Sequence, residues 1–257
     1  MDLIPSKYQT AFFNDVKLGK GNTIVEALAG SGKTTSIIKS LSFIDPKLQT
    51  ILVAFNKKIA NELKEKAPNH VEVKTLHAIG LKYISKRFPG IKVNFDKVDN
   101  ILDKMFKKDK KYLSLLPSLD KTISLSKGCL ASTSEEISDI IDDFEIDFDD
   151  NLISETDFIN HVQFALDFCK RNTNEINFDD MIWFPNVHEI TMPKYDRLFV
   201  DEAQDLNKAQ RELCLRMIKK TGRTFVIGDK HQAIYQFRGA DSASIDNFQN
   251  ALDAKML

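Results

Sequence analysis

The segment Ala27-Leu28-Ala29-Gly30-Ser31-Gly32-Lys33-Thr34-Thr35 constrains this chain more than any other. It overlaps the end of the apolar run Ile24-Val25-Glu26-Ala27-Leu28 and precedes Ile37, Ile38 and Leu41, which recur at helical spacing. That order predicts strand, glycine-containing loop, helix. Gly30 and Gly32 let the backbone curl until successive amides point inward, and the helix behind them contributes its positive N-terminal end. Such a concavity favours phosphate. Lys33 adds a full charge beside the β and γ phosphates of a nucleotide and Thr34 offers a hydroxyl to magnesium, with Ala29, Ser31 and Thr35 completing the cradle. In the pattern GxxxxGK[ST], Ala27 stands where the first glycine would; alanine is small enough to keep the tight approach.

The same plan repeats downstream. Ile51-Leu52-Val53-Ala54-Phe55 is followed by Ile59, Ala60 and Leu63, and Val71-Glu72-Val73 by Ile79, Tyr83 and Ile84. Alternating strands and helices predict a parallel sheet. After Tyr83 the pattern changes: Ile101, Leu102, Met105 and Phe106, then Ile137, Ile140, Ile141 and Phe144, then Phe158, Val162, Ala165 and Leu166 predict amphipathic helices without intervening strands. Strand signals return at Leu198-Phe199-Val200 and Phe225-Val226-Ile227. The expectation is one α/β domain built from residues 1–82 and 176–257, with a helical subdomain inserted at 83–175.

At 257 residues and 42% hydrophobic content, the chain can bury one large core, or one core and a smaller inserted one. No run approaches the roughly 18 apolar residues that span a bilayer, and the first residues lack a basic-then-apolar signal, so a cytoplasmic protein without membrane association is expected. Cys129, Cys169 and Cys214 form no CxxC pair, which predicts reduced thiols rather than zinc or a disulfide framework. A net charge of −1 argues against a strongly basic nucleic-acid binder, but it hides a polarised middle. Lys104, Lys107, Lys108, Lys110, Lys111, Lys121 and Lys127 precede an acidic stretch from Glu135 to Asp150 in which no lysine or arginine occurs. Two readings of the acidic stretch stand open: a solvated face, or a surface that repels nucleic acid.

Arg197-Leu198-Phe199-Val200-Asp201-Glu202-Ala203-Gln204-Asp205 places two carboxylates where a buried strand emerges. Asp201 can hold magnesium, and Glu202 can orient and deprotonate the water that attacks a γ phosphate. Farther on stands Gly228-Asp229-Lys230-His231-Gln232-Ala233-Ile234-Tyr235-Gln236-Phe237-Arg238-Gly239-Ala240. Together, the DEAQD and GDxxQxIYxFRGA strings resemble motifs II and III of UvrD/Rep-like superfamily 1 DNA helicases. The resemblance implies a RecA-like P-loop NTPase domain that uses ATP and Mg2+, with Gln232 touching the γ phosphate and Gln9 reading adenine.

It also implies a nucleic-acid face across the ends of the strands. Phe55 and Asn56 resemble motif Ia, Thr75-Leu76-His77 resembles motif Ib, and Tyr235, Phe237 and Arg238 follow Gln232 closely enough to link nucleotide and DNA. Aromatic faces stack on unpaired bases without regard to sequence, while Thr, Asn, His and Arg reach the backbone. Many relatives carry Trp where this chain has Phe237. Single-stranded DNA is the implied partner; these contacts discriminate poorly against RNA. Phe178-Asp179-Asp180-Met181 resembles the return from the inserted domain 1B to the ATPase domain 1A, and reads equally well as a helix start with an aspartate cap.

Relatives continue past motif III into a second RecA-like domain whose arginines reach the γ phosphate, and arginines of that kind are worth roughly 10³ to 10⁵ in rate. The 257 residues are therefore read as a truncated front half of a 3′–5′ helicase, working as a monomer and hydrolysing ATP weakly in isolation. Two other readings compete. One is a nucleotide- and single-stranded-DNA-binding module without productive turnover; the other is a P-loop phosphotransferase or signalling NTPase, against which the GDxxQ string argues.

Overall fold

Short apolar runs settle as strands where both faces of a sheet can be covered, and Thr50–Val53 is buried throughout its length. The computed structural model describes residues 4–28, 30–106, 109, 112–232 and 243–257. In chain order, α1 (Lys7–Leu18) precedes β1 (Thr23–Glu26) and α2 (Lys33–Leu41), then β2 (Thr50–Val53), α3 (Lys57–Lys66), β3 (Val71–Lys74) and α4 (Leu76–Arg87). After the helical region come β6 (Tyr195–Val200), α10 (Lys208–Leu215), β7 (Ile218–Gly228), α11 (Ser244–Leu252) and the exposed edge strand β8 (Lys255–Met256). The six strands pair in parallel in the order β3-β2-β6-β7-β1-β8. This is the mixed α/β fold with a parallel sheet that the alternation predicts.

Side-chain alternation decides which residues face which layer. Leu52, Phe199, Phe225 and Ile227 point to one side and form a core with Phe12, Phe13 and Val16 of α1, Ile37 and Leu41 of α2 and Leu63 of α3. Phe199 and Phe225 stack with ring centroids 4.5 Å apart, and Phe12 meets Phe225 edge-on at 6.2 Å. The start of β1 is fixed by charge. Arg223 Nη2 lies 3.0 Å from Asp15 Oδ2, its Nε donates to the Gly21 carbonyl at 2.6 Å, and Lys255 joins the same carboxylate. Burial alone would raise the Asp15 pKa; hydrogen bonds from Lys255 and Thr23 and the Arg223 charge outweigh it and hold it below its ordinary value.

By packing, the described chain divides into two compact units: residues 4–79, 192–232 and 243–257, and residues 80–191. The second contains α5 (Lys97–Met105), α6 (Leu116–Cys129), α7 (Ser134–Asp143), α8 (Glu155–Arg171) and α9 (Asp180–Val187). Ile101, Leu102, Ile123, Ile137, Ile140, Phe158, Val162 and Phe184 are buried in it. The helices over Ile101, Ile137 and Phe158 are those the periodicity predicts. The expectation of no strands there is corrected by a two-residue parallel pair, β4 (Lys92–Val93) with β5 (Glu175–Ile176). Two residues per strand are too few to show a period of two in sequence.

At the heart of this unit Asp180 is shared by two buried ammonium groups, Lys97 Nζ at 2.8 Å and Lys127 Nζ at 2.9 Å. Gly80 is required nearby, because a Cβ there would overlap the Met181 carbonyl. Glu135, Asp139, Asp142, Asp143, Glu145, Asp147, Asp149 and Asp150 are all exposed. Lys107, Lys108, Lys110 and Lys111 lie outside the described residues. The three cysteines are free, Cys169 and Cys214 being buried. Among the described residues, no helix is long and apolar enough to cross a membrane.

Candidate active site

Because the sheet is parallel, every strand delivers its C-terminal end to one edge, where ligands bind in open α/β sheets. Three neighbours in the sheet supply three adjoining loops: β6 leads to Asp201–Asp205, β7 to Gly228–Gln232, and β1 to the glycine-rich segment. On the other side of β6, the ends of β2 and β3 carry Phe55, Asn56, Thr75 and His77.

Gly30 and Gly32 have φ of 71° and 82°, the left-handed region that glycine enters without a Cβ penalty. Gly32 is the N-cap of α2 and has no side chain to offer, so the amides of Lys33, Thr34 and Thr35 open the helix without a side-chain cap. Thr34, Thr35 and Ser31 are exposed on this loop; Ala29 lies outside the described residues. Gln9 arrives from α1. Its Nε2 donates to Ser36 Oγ at 3.0 Å, while its Oε1 accepts from the Ser6 amide at 2.9 Å in a capping box. The Gln9 amide thus sits beside the loop, already committed at both ends.

Lys33 Nζ lies 3.1 Å from Glu202 Oε2, joining the loop to the end of β6. Glu202 has φ of 50°, a conformation that costs a non-glycine residue of order 1 kcal/mol or more and recurs at functional sites. Its amide donates to Asp201 Oδ1 at 3.0 Å. Asp201 is buried, and burial first, then the Glu202 charge, raises its pKa to about 6. Asp205 is raised to about 6 in the same way, by burial and then by Glu202.

A buried carboxylate beside a second carboxylate is the environment a hard divalent cation relieves. Among the described residues no group of three or more His, Cys, Asp or Glu side chains could hold a metal. Magnesium is usually held by one or two carboxylates together with substrate phosphates and water. Asp201 and the Thr34 hydroxyl are the protein oxygens suited to it.

Sequence reasoning assigned no role to Gln204, although it stands inside the DEAQD string. It is 4% exposed. Its Nε2 donates to Glu202 Oε2 at 2.8 Å, and its Oε1 accepts from the Asp229 amide at 3.1 Å. Asp229 opens the short 3-10 turn Lys230–Gln232, and the Gln232 amide donates to the Asp229 carbonyl at 3.0 Å. A continuous path of polar contacts therefore runs from Lys33 through Glu202, Gln204 and Asp229 to Gln232.

Two of the residues read as nucleic-acid contacts also cap the starts of helices. Asn56 Oδ1 accepts from the Ile59 amide at 2.9 Å as N-cap of α3, and Thr75 Oγ1 accepts from the Ala78 amide at 3.2 Å at the start of α4. These caps leave the Asn56 amide hydrogens and the Thr75 hydroxyl hydrogen as donors. Phe55 is half-buried, and burial lowers the His77 pKa to about 4, so its ring is neutral at neutral pH. Tyr235, Phe237 and Arg238 lie outside the described residues.

Residues 9–253 match the UvrD/REP helicase N-terminal domain. The ATP-dependent DNA helicase Rep of Buchnera aphidicola subsp. Acyrthosiphon pisum (strain APS) is 30% identical over 270 residues, covering 90% of this chain and 39% of that protein. Rep of Escherichia coli (strain K12) is 29% identical, covering 88% of this chain and 36% of its own length. The ATP-dependent DNA helicase PcrA of Bacillus subtilis (strain 168) is 26% identical, covering 91% and 34%. The chain thus spans between about a third and two fifths of the length of these relatives. The match spans both the glycine-rich loop and the paired carboxylate, and the chain belongs to the UvrD/REP helicase N-terminal domain family.

Proposed function

We propose that this chain is the ATP- and single-stranded-DNA-binding half of an ATP-dependent 3′–5′ DNA helicase or translocase. In this reading residues 1–82 and 176–257 form its ATPase domain 1A and residues 83–175 its inserted domain 1B. The observation that carries the reading is the Lys33–Glu202 contact, which sets the cation of the phosphate loop against the carboxylate suited to activating water.

In this scheme the loop amides and Lys33 bind the phosphates, Gln9 meets the adenine, and Thr34 and Asp201 would hold magnesium. When bound, the ion would neutralise phosphate charge. Glu202 orients the attacking water and takes its proton, and Gln232 reads the γ phosphate. Phe55, Asn56, Thr75 and His77, with Tyr235, Phe237 and Arg238, grip single-stranded DNA through stacking and backbone hydrogen bonds. A second RecA-like domain of the same longer polypeptide completes the catalytic cleft with its arginines, and the protein works as a monomer.

The test is ATP hydrolysis with and without single-stranded DNA, in this chain and in a version extended by its downstream domain, each beside Lys33→Ala. DNA-stimulated turnover in the extended protein, abolished by the substitution, is the expected result. Nucleotide and DNA binding with no turnover in either length would favour a binding module. An extended protein that neither binds DNA nor responds to it would end the helicase reading.

A further inference from the structure

A glutamine side chain offers one carbonyl and one amide group, and when it is buried both need partners. At Gln204 the two partners belong to different loops of the candidate site: Glu202 Oε2 at 2.8 Å and the Asp229 amide at 3.1 Å. Its backbone is held from below. Ala203–Asp205 form a 3-10 turn, and Ser244 Oγ of α11 donates to the Ala203 carbonyl at 2.8 Å. There is little slack around the amide either. A Cβ on Gly228 would come within 2.6 Å of Gln204 Oε1 and 2.9 Å of Ile245 Cδ1.

Glu202 Oε2 is shared between Lys33 Nζ at 3.1 Å and Gln204 Nε2. We propose that Gln204 is a positioning residue that carries the state of the Lys33–Glu202 pair to the Gly228–Gln232 turn. A γ phosphate competes with Glu202 for Lys33. Once the lysine turns away, the carboxylate loses its countercharge and draws more strongly on the Gln204 amide, since hydrogen bonds to ionised acceptors are the stronger class. The other end of that amide is bonded to Asp229, and Gln232 lies one short turn beyond. The inference rests on the nucleotide-site reading and adds a route by which occupancy of the loop reaches motif III without passing through the bound nucleotide.

Amide hydrogen exchange on the 257-residue chain tests it, comparing Mg2+–ADP with Mg2+ and a non-hydrolysable ATP analogue. Dissociation constants for both nucleotides are measured alongside. In the wild type, exchange at residues 229–232 is expected to differ between the two states. Gln204→Met removes both hydrogen bonds; the Asp229 amide should then exchange roughly fivefold faster, the effect of losing one ordinary hydrogen bond, and equally in both states. Gly228→Ala keeps the glutamine but pushes its amide aside, and should reproduce that loss. Gln204→Glu keeps an acceptor for Asp229 and sets a second carboxylate against Glu202, so protection should survive while nucleotide dependence disappears. A residue that only satisfies buried groups would not separate those two effects. Nucleotide-dependent exchange that persists in Gln204→Met, or is missing from a wild type that binds both nucleotides, overturns the relay. A wild type that binds neither nucleotide overturns the nucleotide-site reading and the relay with it.

Discussion

Lys33, on the first turn of α2, and Glu202, just past β6, stand 3.1 Å apart and neutralise each other. Neither charge is therefore free for phosphate chemistry until a phosphate separates them. The lysine side chain is 9% exposed and its partner 30%, so the pair is partly solvated. Lys33→Ala should weaken ATP binding by roughly 10- to 100-fold, the range expected for losing about 1.5 to 3 kcal/mol of charged hydrogen bonding. It should leave the melting temperature nearly unchanged, because partly exposed ion pairs contribute about 1 kcal/mol or less. Titration with a fluorescent ATP analogue beside a thermal melt reads both. Undiminished ATP affinity in the variant would remove Lys33 from the site.

Asp201 has a pKa raised to about 6 by burial and then by Glu202, from an ordinary 3.8. A raised carboxylate pKa means that the folded state holds the proton more tightly than the unfolded chain. Its stabilising contribution is present below about 3.8 and lost as pH rises through about 6. Asp201→Asn mimics the protonated form. It should raise stability by about 2 to 3 kcal/mol at pH 8 and by little at pH 4, since each tenfold change in proton affinity is worth about 1.4 kcal/mol. Magnesium-dependent nucleotide binding should fall in the wild type as pH drops through about 6, and be lost at every pH in the variant. Urea melts at the two pH values decide the first point; an equal effect at both would show that the carboxylate is not strained by burial.

How legible this was depended on how local the signal is. The loop at Gly30–Thr35 and the pair at Asp201 and Glu202 are contiguous strings whose chemistry follows from their letters, and parallel strands had to bring their ends to one edge. Gln204 lies inside the DEAQD string, yet nothing in the sequence shows that its amide spans two loops, because Asp229 reaches it only through the β6–β7 pairing. The inserted helices were readable wherever one face is apolar, as at Ile137, Ile140 and Ile141. The lysines on Asp180 were not: Lys127 read as part of a basic stretch and Lys97 carried no signal, whereas both are buried. Charge burial is set by tertiary pairing and leaves no periodic trace.

His77 is held neutral at neutral pH by burial, with its pKa lowered to about 4 from 6.5. In the proposed reading, its contact with nucleic acid would then be an uncharged hydrogen bond that releases no counterion. His77→Gln should weaken single-stranded DNA binding without changing the slope of log affinity against log salt, whereas loss of a charged phosphate contact reduces that slope by about 0.7. Because the folded pKa is depressed, the histidine's contribution to stability is present above about 6.5 and lost as pH falls through about 4, so the variant should also be less sensitive to acid. Anisotropy titrations at several salt concentrations provide the check. A slope that falls in the variant would mean that His77 binds DNA as a cation.

In the helical unit, Asp180 accepts Lys97 at 2.8 Å and Lys127 at 2.9 Å, with all three side chains at most 1% exposed. Burial alone would lower the Lys127 pKa, but the Asp180 charge overrides it and holds the ammonium above its ordinary value, so it stays charged. The remaining protons are shared out. Lys97 donates to the Cys169 carbonyl at 3.1 Å and Lys127 to Asn177 Oδ1 at 3.4 Å, with the rings of Phe184 and Trp183 4.7 and 5.5 Å from the two ammonium groups. Asp180→Asn removes the carboxylate that both buried ammonium groups share, which should cost about 3 to 5 kcal/mol. Replacing Lys97 and Lys127 by Met and Asp180 by Leu together should recover most of that loss, since a packed apolar set of similar volume avoids the desolvation cost. Urea unfolding of the two variants separates the cost of breaking the cluster from its net worth. A loss below about 1 kcal/mol in Asp180→Asn would show that water reaches the lysines.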